Sequence, residues 1–386
     1  MVPTSDASSR VSALEDTVAA YLQSIESGNY RRNAESVLRS WTEWCVTERG
    51  ISSVEQVDVL DCRHYARHLK GLTREGELKA STARTYYATV RAFLRFCVDE
   101  ELVASNPAAV KRAVDELPTE TGDADRQFWG ESERHQLLEY VDERARQTLD
   151  GRGVGEVDEV HVDRSSAFRD RALVYVLAFS GVRSGEVFSD PADTERNGVR
   201  WGDVDLEHGT LRVFGKSRTY EHAQLPKDAA EVLIRYRRVL NPPSEEWPLF
   251  PSNHGPSLYR TVREQLPSQG YTTEEVESLL AENDDVYTVI REHGLRPPSL
   301  SKNGARSIVE SLCEQAGIKI GGEPLKLHGA RRGLGHELYR TGHAELAQSA
   351  LRHTSIEVTH DSYSDIQASE TAEKVGDVLN SREDEE

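Results

Sequence analysis

A histidine and an arginine three residues apart can hold a phosphate together, because guanidinium offers a planar two-pronged donor and imidazole a donor of adjustable protonation. The pattern H-x-x-R recurs in this 386-residue chain, at His64/Arg67, His293/Arg296 and His328/Arg331 among other places, so the motif alone selects nothing. Context separates the occurrences. His328/Arg331 lies in LKLHGARRGLGHELYRTG, and downstream ALRHTSIEVTHDSYSD places Tyr363 ten positions after His353. Upstream, SGVRSGE puts Arg183 and Glu186 just past an apolar helix, and Gly215-Lys216 falls in a turn between two short strand-like segments. A phosphodiester resists attack because its non-bridging oxygens are negative, so chemistry on it needs cations where charge builds up in the transition state.

The elements that must position these residues follow from periodicity. From Ala13 to about Lys111 apolar residues recur three and four apart, as in LEDTVAAYLQSI and YYATVRAFLRFCVDEEL, which predicts an all-helical domain over 12–114. A Pro/Gly/acid-rich stretch predicts a linker at 115–127. A second domain is expected over 128–379, followed by an acidic tail at 380–386. Within it, helices surround short strands in VRWGDVDL, GTLRVFG and Tyr220 to Leu225, so the expected class is mainly α with a small antiparallel β-sheet (α+β). The acidic segment near 151–163 and the polar stretch near 265–301 read as inserts without a derivable role, and TAEKVGDVLN as a last helix.

Composition sets limits on function. Hydrophobic residues at 37% and charged residues at 29% fit a globular protein, and no run approaches the roughly 18 apolar residues of a membrane helix. The N-terminus lacks the basic and apolar regions of a secretory signal, so the expected location is cytoplasmic with no membrane partner. Cys45, Cys62, Cys97 and Cys313 are scattered without metal-ligand spacing. The formal net charge of −19 argues against a phosphate-gripping protein. However, Lys contributes only nine of the 47 basic residues, and scarce Lys with excess carboxylate is also the composition of proteins working in concentrated salt. A halophilic enzyme and an ordinary acidic enzyme both remain open on this ground.

The ordered segments FSGVRSGEV, VFGKSR, HGARR and LRHTSIEVTHDSY resemble the boxes of tyrosine recombinases of the phage-integrase class. STARTYYATVRAFLRFCVDEELVASNPA resembles that family's helical core-binding domain, so the likeness runs over about residues 13 to 376. The resemblance implies a site-specific DNA recombinase with Tyr363 as nucleophile. Arg183 and Arg331 would neutralise the phosphate, which a Lys could match only as a point charge. His328 would take the phenol proton, and the guanidinium field should lower the phenol pKa. Lys216 would protonate the departing 5′-hydroxyl, His353 would donate to the phosphate, and Glu186 would orient the site. A 3′-phosphotyrosine keeps the energy of the broken link, so no cofactor or metal is expected.

Each residue has a plainer reading. Tyr363 could be a half-buried core residue, Arg183 a partner of a helix C-terminus, and Lys216 an ordinary hairpin lysine beside Arg218. His336, His343, His353 and His360 suggest a metal, but Arg331, Arg332, Arg340 and Arg352 would repel one. Two positions depart from the family: Arg332 replaces the His often following the second arginine, and Arg352 the Gly often preceding the last histidine. In the first domain, Thr82, Arg84, Tyr87 and Arg91 are the candidate DNA contacts. The implied partner is a double-stranded recombination site bound by a homotetramer, for integration, excision or resolution of an element. The competing functions are a catalytically silent DNA-binding regulator of the same fold and a type IB topoisomerase-like strand relaxer.

Overall fold

The computed structural model describes residues 7–26, 28–119, 127–149, 163–283, 285–360 and 362–363. Most of the expected linker (120–126), the acidic segment (150–162), the last helix and the acidic tail lie outside them. The chain divides into two compact units, residues 1–125 with 192–194 and residues 126–191 with 195–386.

The first unit is helical: α1 (Ala7–Ser24), α2 (Gly28–Arg49), α3 (Val59–Arg74), α4 (Ala80–Asp99) and the short α5 (Lys111–Val114). Its core follows from helical spacing. Leu14, Val18, Tyr21 and Ile25 line one stripe and Ala83, Tyr87, Val90, Leu94 and Cys97 another, all buried in one cluster with Trp41 and Phe93. Asp58 starts α3 by accepting from the backbone N–H groups of Leu60 and Asp61.

The second unit wraps helices around α7 (Arg164–Ser180), which is buried on most sides because its apolar run Ala172–Ala178 leaves no polar face there. Around it lie α6 (Glu131–Gln147), α8 (Ser184–Val187), the strands β1 (Val204–Asp205), β2 (Thr210–Phe214) and β3 (Tyr220–Gln224), and α9 (Lys227–Leu240). The chain continues through α10 (Gly255–Gln265), α11 (Thr273–Glu282), α12 (Val286–Glu292), α13 (Lys302–Ala316), α14 (Leu327–Arg340) and α15 (Ala344–Leu351). The three strands pair antiparallel in sequence order, with Val213 opposite Glu221 and Phe214 opposite Tyr220. Mainly helical with a small antiparallel sheet is thus the observed architecture.

The stretch 265–301, read as a polar insert, is built into the core of the second unit. Leu266, Val276, Leu280, Val286, Val289, Ile290 and Leu295 are buried in the same cluster as α7, and Leu300 N–H donates to Phe250 O at 2.8 Å. Its apolar residues are few, but they fall at helical spacing, and that spacing rather than their number decides burial.

Candidate active site

Arg183 is set by the way α7 ends. Gly181 terminates the helix in the left-handed region at φ +63°, and a Cβ there would come within 2.7 Å of Ala350 O, so the turn needs glycine twice over. Arg183 then opens α8, where Glu186 accepts from its backbone N–H and from its Nη1, both at 2.8 Å. Glu186 is 4% exposed. Burial pushes its pKa up, but Arg352 and the bonds from Arg183 outweigh this and hold it below the usual value.

His328 and Arg331 sit three apart on α14, hence on one face. Arg331 is 4% exposed, and its Nη1 donates to Gly181 O and its Nη2 to Leu351 O. It therefore ties the ends of α7 and α15 to α14. Burial first, then the neighbouring Arg183, lowers its pKa to about 10, so it stays a cation at neutral pH. The pKa of His328 is lowered to about 4, by burial and then by Arg332, Arg331 and Arg183. His328 is nonetheless an exposed residue, and the cluster of guanidinium groups gives the same direction as the partial loss of water.

His353 follows α15. Its Nδ1 lies 2.9 Å from Oγ1 of the fully buried Thr359, a contact that orients the ring. Its pKa too is lowered to about 4, by burial and then by Arg331 and Arg183. Both imidazoles are thus neutral at pH 7.

Tyr363 is 7% exposed and packs with Tyr339 and Leu351. Its hydroxyl donates to Arg332 O at 3.5 Å and lies over Gly335, where an added Cβ would be 2.0 Å from it. The phenol pKa is raised, not lowered as the guanidinium field alone would have it, because burial outweighs Arg331 and Arg332.

Lys216 stands exposed in the turn between β2 and β3. That turn is fastened beside Arg183 by Arg196, whose Nη1 donates to Gly185 O (2.8 Å) and Phe214 O (3.0 Å) and whose Nη2 donates to Gly215 O (2.9 Å). Arg196 belongs to no motif. Its signal, an arginine within a loop of turn-forming residues, is too common to single out. Trp129 and Gln127 were missed as well, having been assigned to the linker and its edge. Trp129 Nε1 donates to Lys326 O at 2.9 Å and Gln127 Nε2 to Pro324 O at 3.0 Å, which fixes the start of α14. Gly329 and Gly333 make room for this: a Cβ at Gly333 would lie 2.3 Å from Trp129 O. HGARRGLG therefore carries its glycines for packing.

In the other two H-x-x-R pairs named above, the arginines have structural partners. Arg67 donates to Glu116 at 2.6 Å, while His293 Nδ1 lies 3.2 Å from Tyr271 Oη and Arg296 donates to Glu246 at 3.3 Å. Among the described residues no group of three or more His, Cys, Asp or Glu is placed to hold a metal. His336 stacks on Phe128, His343 meets Thr341, and His360 meets Tyr339.

Of the candidate DNA contacts in the first unit, Tyr87 is corrected. It is 2% exposed and its hydroxyl donates to Ala108 O at 3.1 Å, so its ring belongs to the core. Thr82, Arg84, Tyr87 and Arg91 share one helical stretch, and Tyr87 falls on its buried face. Arg84 is half-buried and donates to Pro118 O, Thr82 is half-buried, and Arg91 is exposed.

Residues 157–370 match the model of the phage integrase family. The chain is 29% identical over 230 residues to the tyrosine recombinase XerC of Chlorobaculum parvum, covering 56% of this chain and 61% of the relative. It is 28% identical over 207 residues to XerC of Halalkalibacterium halodurans, covering 53% and 55%. The matches thus span less than two thirds of these curated relatives. Among solved structures, the XerH site-specific recombinase bound to palindromic difH substrate has a TM-score of 0.55 at 17% identity, over 88% of this chain and 78% of that one. A lambda integrase dimer bound to a COC′ core site (residues 75–356) has a TM-score of 0.51 at 15% identity, over 90% and 94%. These likenesses are of fold. Among the described residues no helix is long and apolar enough to cross a membrane.

Proposed function

The chain belongs to the phage integrase family, and we propose that it is a site-specific DNA recombinase that cuts and rejoins strands through a 3′-phosphotyrosine at Tyr363. One observation carries the reading. Arg331 is fastened to the carbonyls two residues before Arg183 and two before His353, lies three residues from His328, and adjoins the residue whose carbonyl meets the Tyr363 hydroxyl. Four groups suited to a phosphodiester thus gather around one buried guanidinium.

The reaction follows from these groups. Arg183 and Arg331 hold the non-bridging oxygens and balance the charge that grows on them. The oxygen of Tyr363 attacks phosphorus, and neutral His328 takes the phenol proton. The P–O5′ bond breaks, and the departing oxygen takes a proton from Lys216. His353 donates to a phosphate oxygen. The 5′-hydroxyl of a partner strand then reverses these steps and releases Tyr363.

Exchange between two duplexes needs four such sites, so the active form is a homotetramer on paired double-stranded DNA, acting in the cytoplasm, with Arg91 and Arg84 as phosphate contacts in a helical DNA-binding domain over 12–114. The acidic, lysine-poor composition supports a halophilic setting. A silent DNA-binding regulator would not need Glu186, Arg331 and Thr359 held with such low exposure around the site.

The test is a nicked suicide duplex carrying the cognate site. The expected result is a covalent protein–DNA adduct that survives denaturant and is absent in Tyr363→Phe. No adduct from the wild-type chain at any salt concentration, or an undiminished one from Tyr363→Phe, overturns the proposal.

A further inference from the structure

Arg352 occupies a position that is unfavourable for its side chain. It closes α15 in the left-handed region, φ 51° and ψ 50°, where glycine is at ease and other residues are strained. Its side chain is 11% exposed, and Nη1 is buried without a hydrogen-bond partner among the described residues. A strained backbone and a desolvated charge both favour replacement, so the two contacts the side chain makes must account for its presence.

Nη2 of Arg352 donates to Glu186 Oε2, the oxygen that also accepts the Arg183 backbone N–H. Nε donates to Glu221 Oε2 at 3.0 Å. Glu221 lies directly opposite Val213 in the β2–β3 ladder, so it shares a face with the buried Val213 and, two residues along, Leu211 and Ala223. An acid on that face needs a partner. The other oxygen of Glu221 accepts from Ser217 Oγ at 3.0 Å, and the carboxylate fills the space above Gly215, where a Cβ would come within 2.2 Å of Oε1. Gly215 and Ser217 flank Lys216. A continuous chain therefore runs from Arg183 through Glu186, Arg352 and Glu221 to the turn that carries the lysine, while Arg196 grips the same turn by its carbonyls.

We propose that Arg352 is a positioning residue for strand cleavage: by bridging Glu186 and Glu221 it fixes the Lys216 turn against the Arg183 segment and so places the proton donor at the departing 5′-oxygen. The inference rests on the recombinase reading. Only a planar fork spans two carboxylates held by different elements, so neither lysine nor glycine at this position can do the same.

The bond that breaks gives a specific readout. In an ordinary duplex the P–O5′ bond breaks and the oxygen must take a proton. With sulfur at that bridging position the leaving group departs as a thiolate without one, since thiols ionise near pH 8.5. Two nicked suicide duplexes, alike except for that atom, are given to the full-length wild-type chain and to Lys216→Ala, Arg352→Gly and Glu221→Gln. Glu221→Gln leaves His353 and its neighbour untouched, which guards against a local fold defect in Arg352→Gly.

The expected result is that Lys216→Ala slows adduct formation on the oxygen substrate by about 100-fold or more, and the other two by about 10- to 100-fold. All three return to within about threefold of wild type on the sulfur substrate. Arg352→Gly and Glu221→Gln at wild-type rate on oxygen, or equally slow on both substrates, overturns the positioning role, as does Lys216→Ala that stays slow on sulfur. A wild-type chain that forms no adduct on either substrate instead marks failure of the recombinase reading itself.

Discussion

Arg331→Lys separates a fork from a point charge at the centre of the site. Arg331 spends two of its five N–H groups on Gly181 O and Leu351 O, leaving three for a phosphate. A lysine has one nitrogen and cannot reach both carbonyls and the phosphate, so at least one buried carbonyl loses a charged donor. That loss is worth about 1.5–3 kcal/mol. At roughly 2–4 °C per kcal/mol for a domain of this size, the melting temperature should fall by about 3–12 °C. In catalysis, removing one preorganised donor from a growing anionic charge typically reduces rate by about 100- to 1000-fold. The assay is single-turnover adduct formation at saturating DNA, run below the transition, with a calorimetric scan of the same variant through its transition. A variant that cleaves within about threefold of wild type refutes the clamp, and one that loses rate without losing any stability refutes the structural half of the argument.

Gly335→Ala sets a methyl 2.0 Å from the Tyr363 hydroxyl and 2.6 Å from Leu351 Cδ1; overpacking of about 1–3 kcal/mol should slow adduct formation about 5- to 160-fold, and an unchanged rate shows that Tyr363 does not react from this seat. His328 and His353 in the DNA-free chain should titrate near pH 4 by NMR. Because the folded state resists protonating these rings, stability is unaffected by them above about pH 6.5 and falls as pH drops from there toward 4; ordinary values near 6.5 would remove the cation cluster from the account. Arg91→Ala should weaken DNA binding for all sequences and reduce the salt slope by about 1. Tyr87→Phe should leave binding unchanged and lower stability by about 1 kcal/mol, and loss of affinity without loss of stability would return Tyr87 to the DNA face.

The sequence singles out the candidate phosphate-handling groups, because the residue types and order such chemistry requires are visible in it. Arg183, His328, Arg331, His353 and Tyr363 fall around one point in the structure. What escaped is the support. Glu221 is one acid in a short strand, and only the register that turns it inward beside Val213 gives it meaning. Gln127 and Trp129 bond to carbonyls nearly 200 positions away, a pairing no local pattern encodes. Arg352 was visible as a departure from the family, while its left-handed backbone and two carboxylate partners were not. Helical spacing at 265–301 was present but diluted by polar residues, so composition misled where periodicity was sound. Tyr87 shows the reverse: a face chosen from residue type alone, although the same periodicity places it among core residues.

The net charge of −19 and a site for anions are reconciled by where each charge lies. Arg183, Arg331 and Arg332 converge on one region, and burial first, with these cations adding to it, pushes the two imidazoles down to about 4. Exposed charges interact over about 3 Å in molar salt, so a grip built on residues such as Arg91 weakens as salt rises. Arg331 at 4% exposure is shielded by protein rather than by ions. Binding and cleavage should therefore part with increasing salt: affinity for DNA falls, while the rate of the bound complex, set around the buried Arg331 guanidinium, holds. An acidic surface costs little at the chemical step where the charge is balanced by Arg331, which the solvent barely reaches.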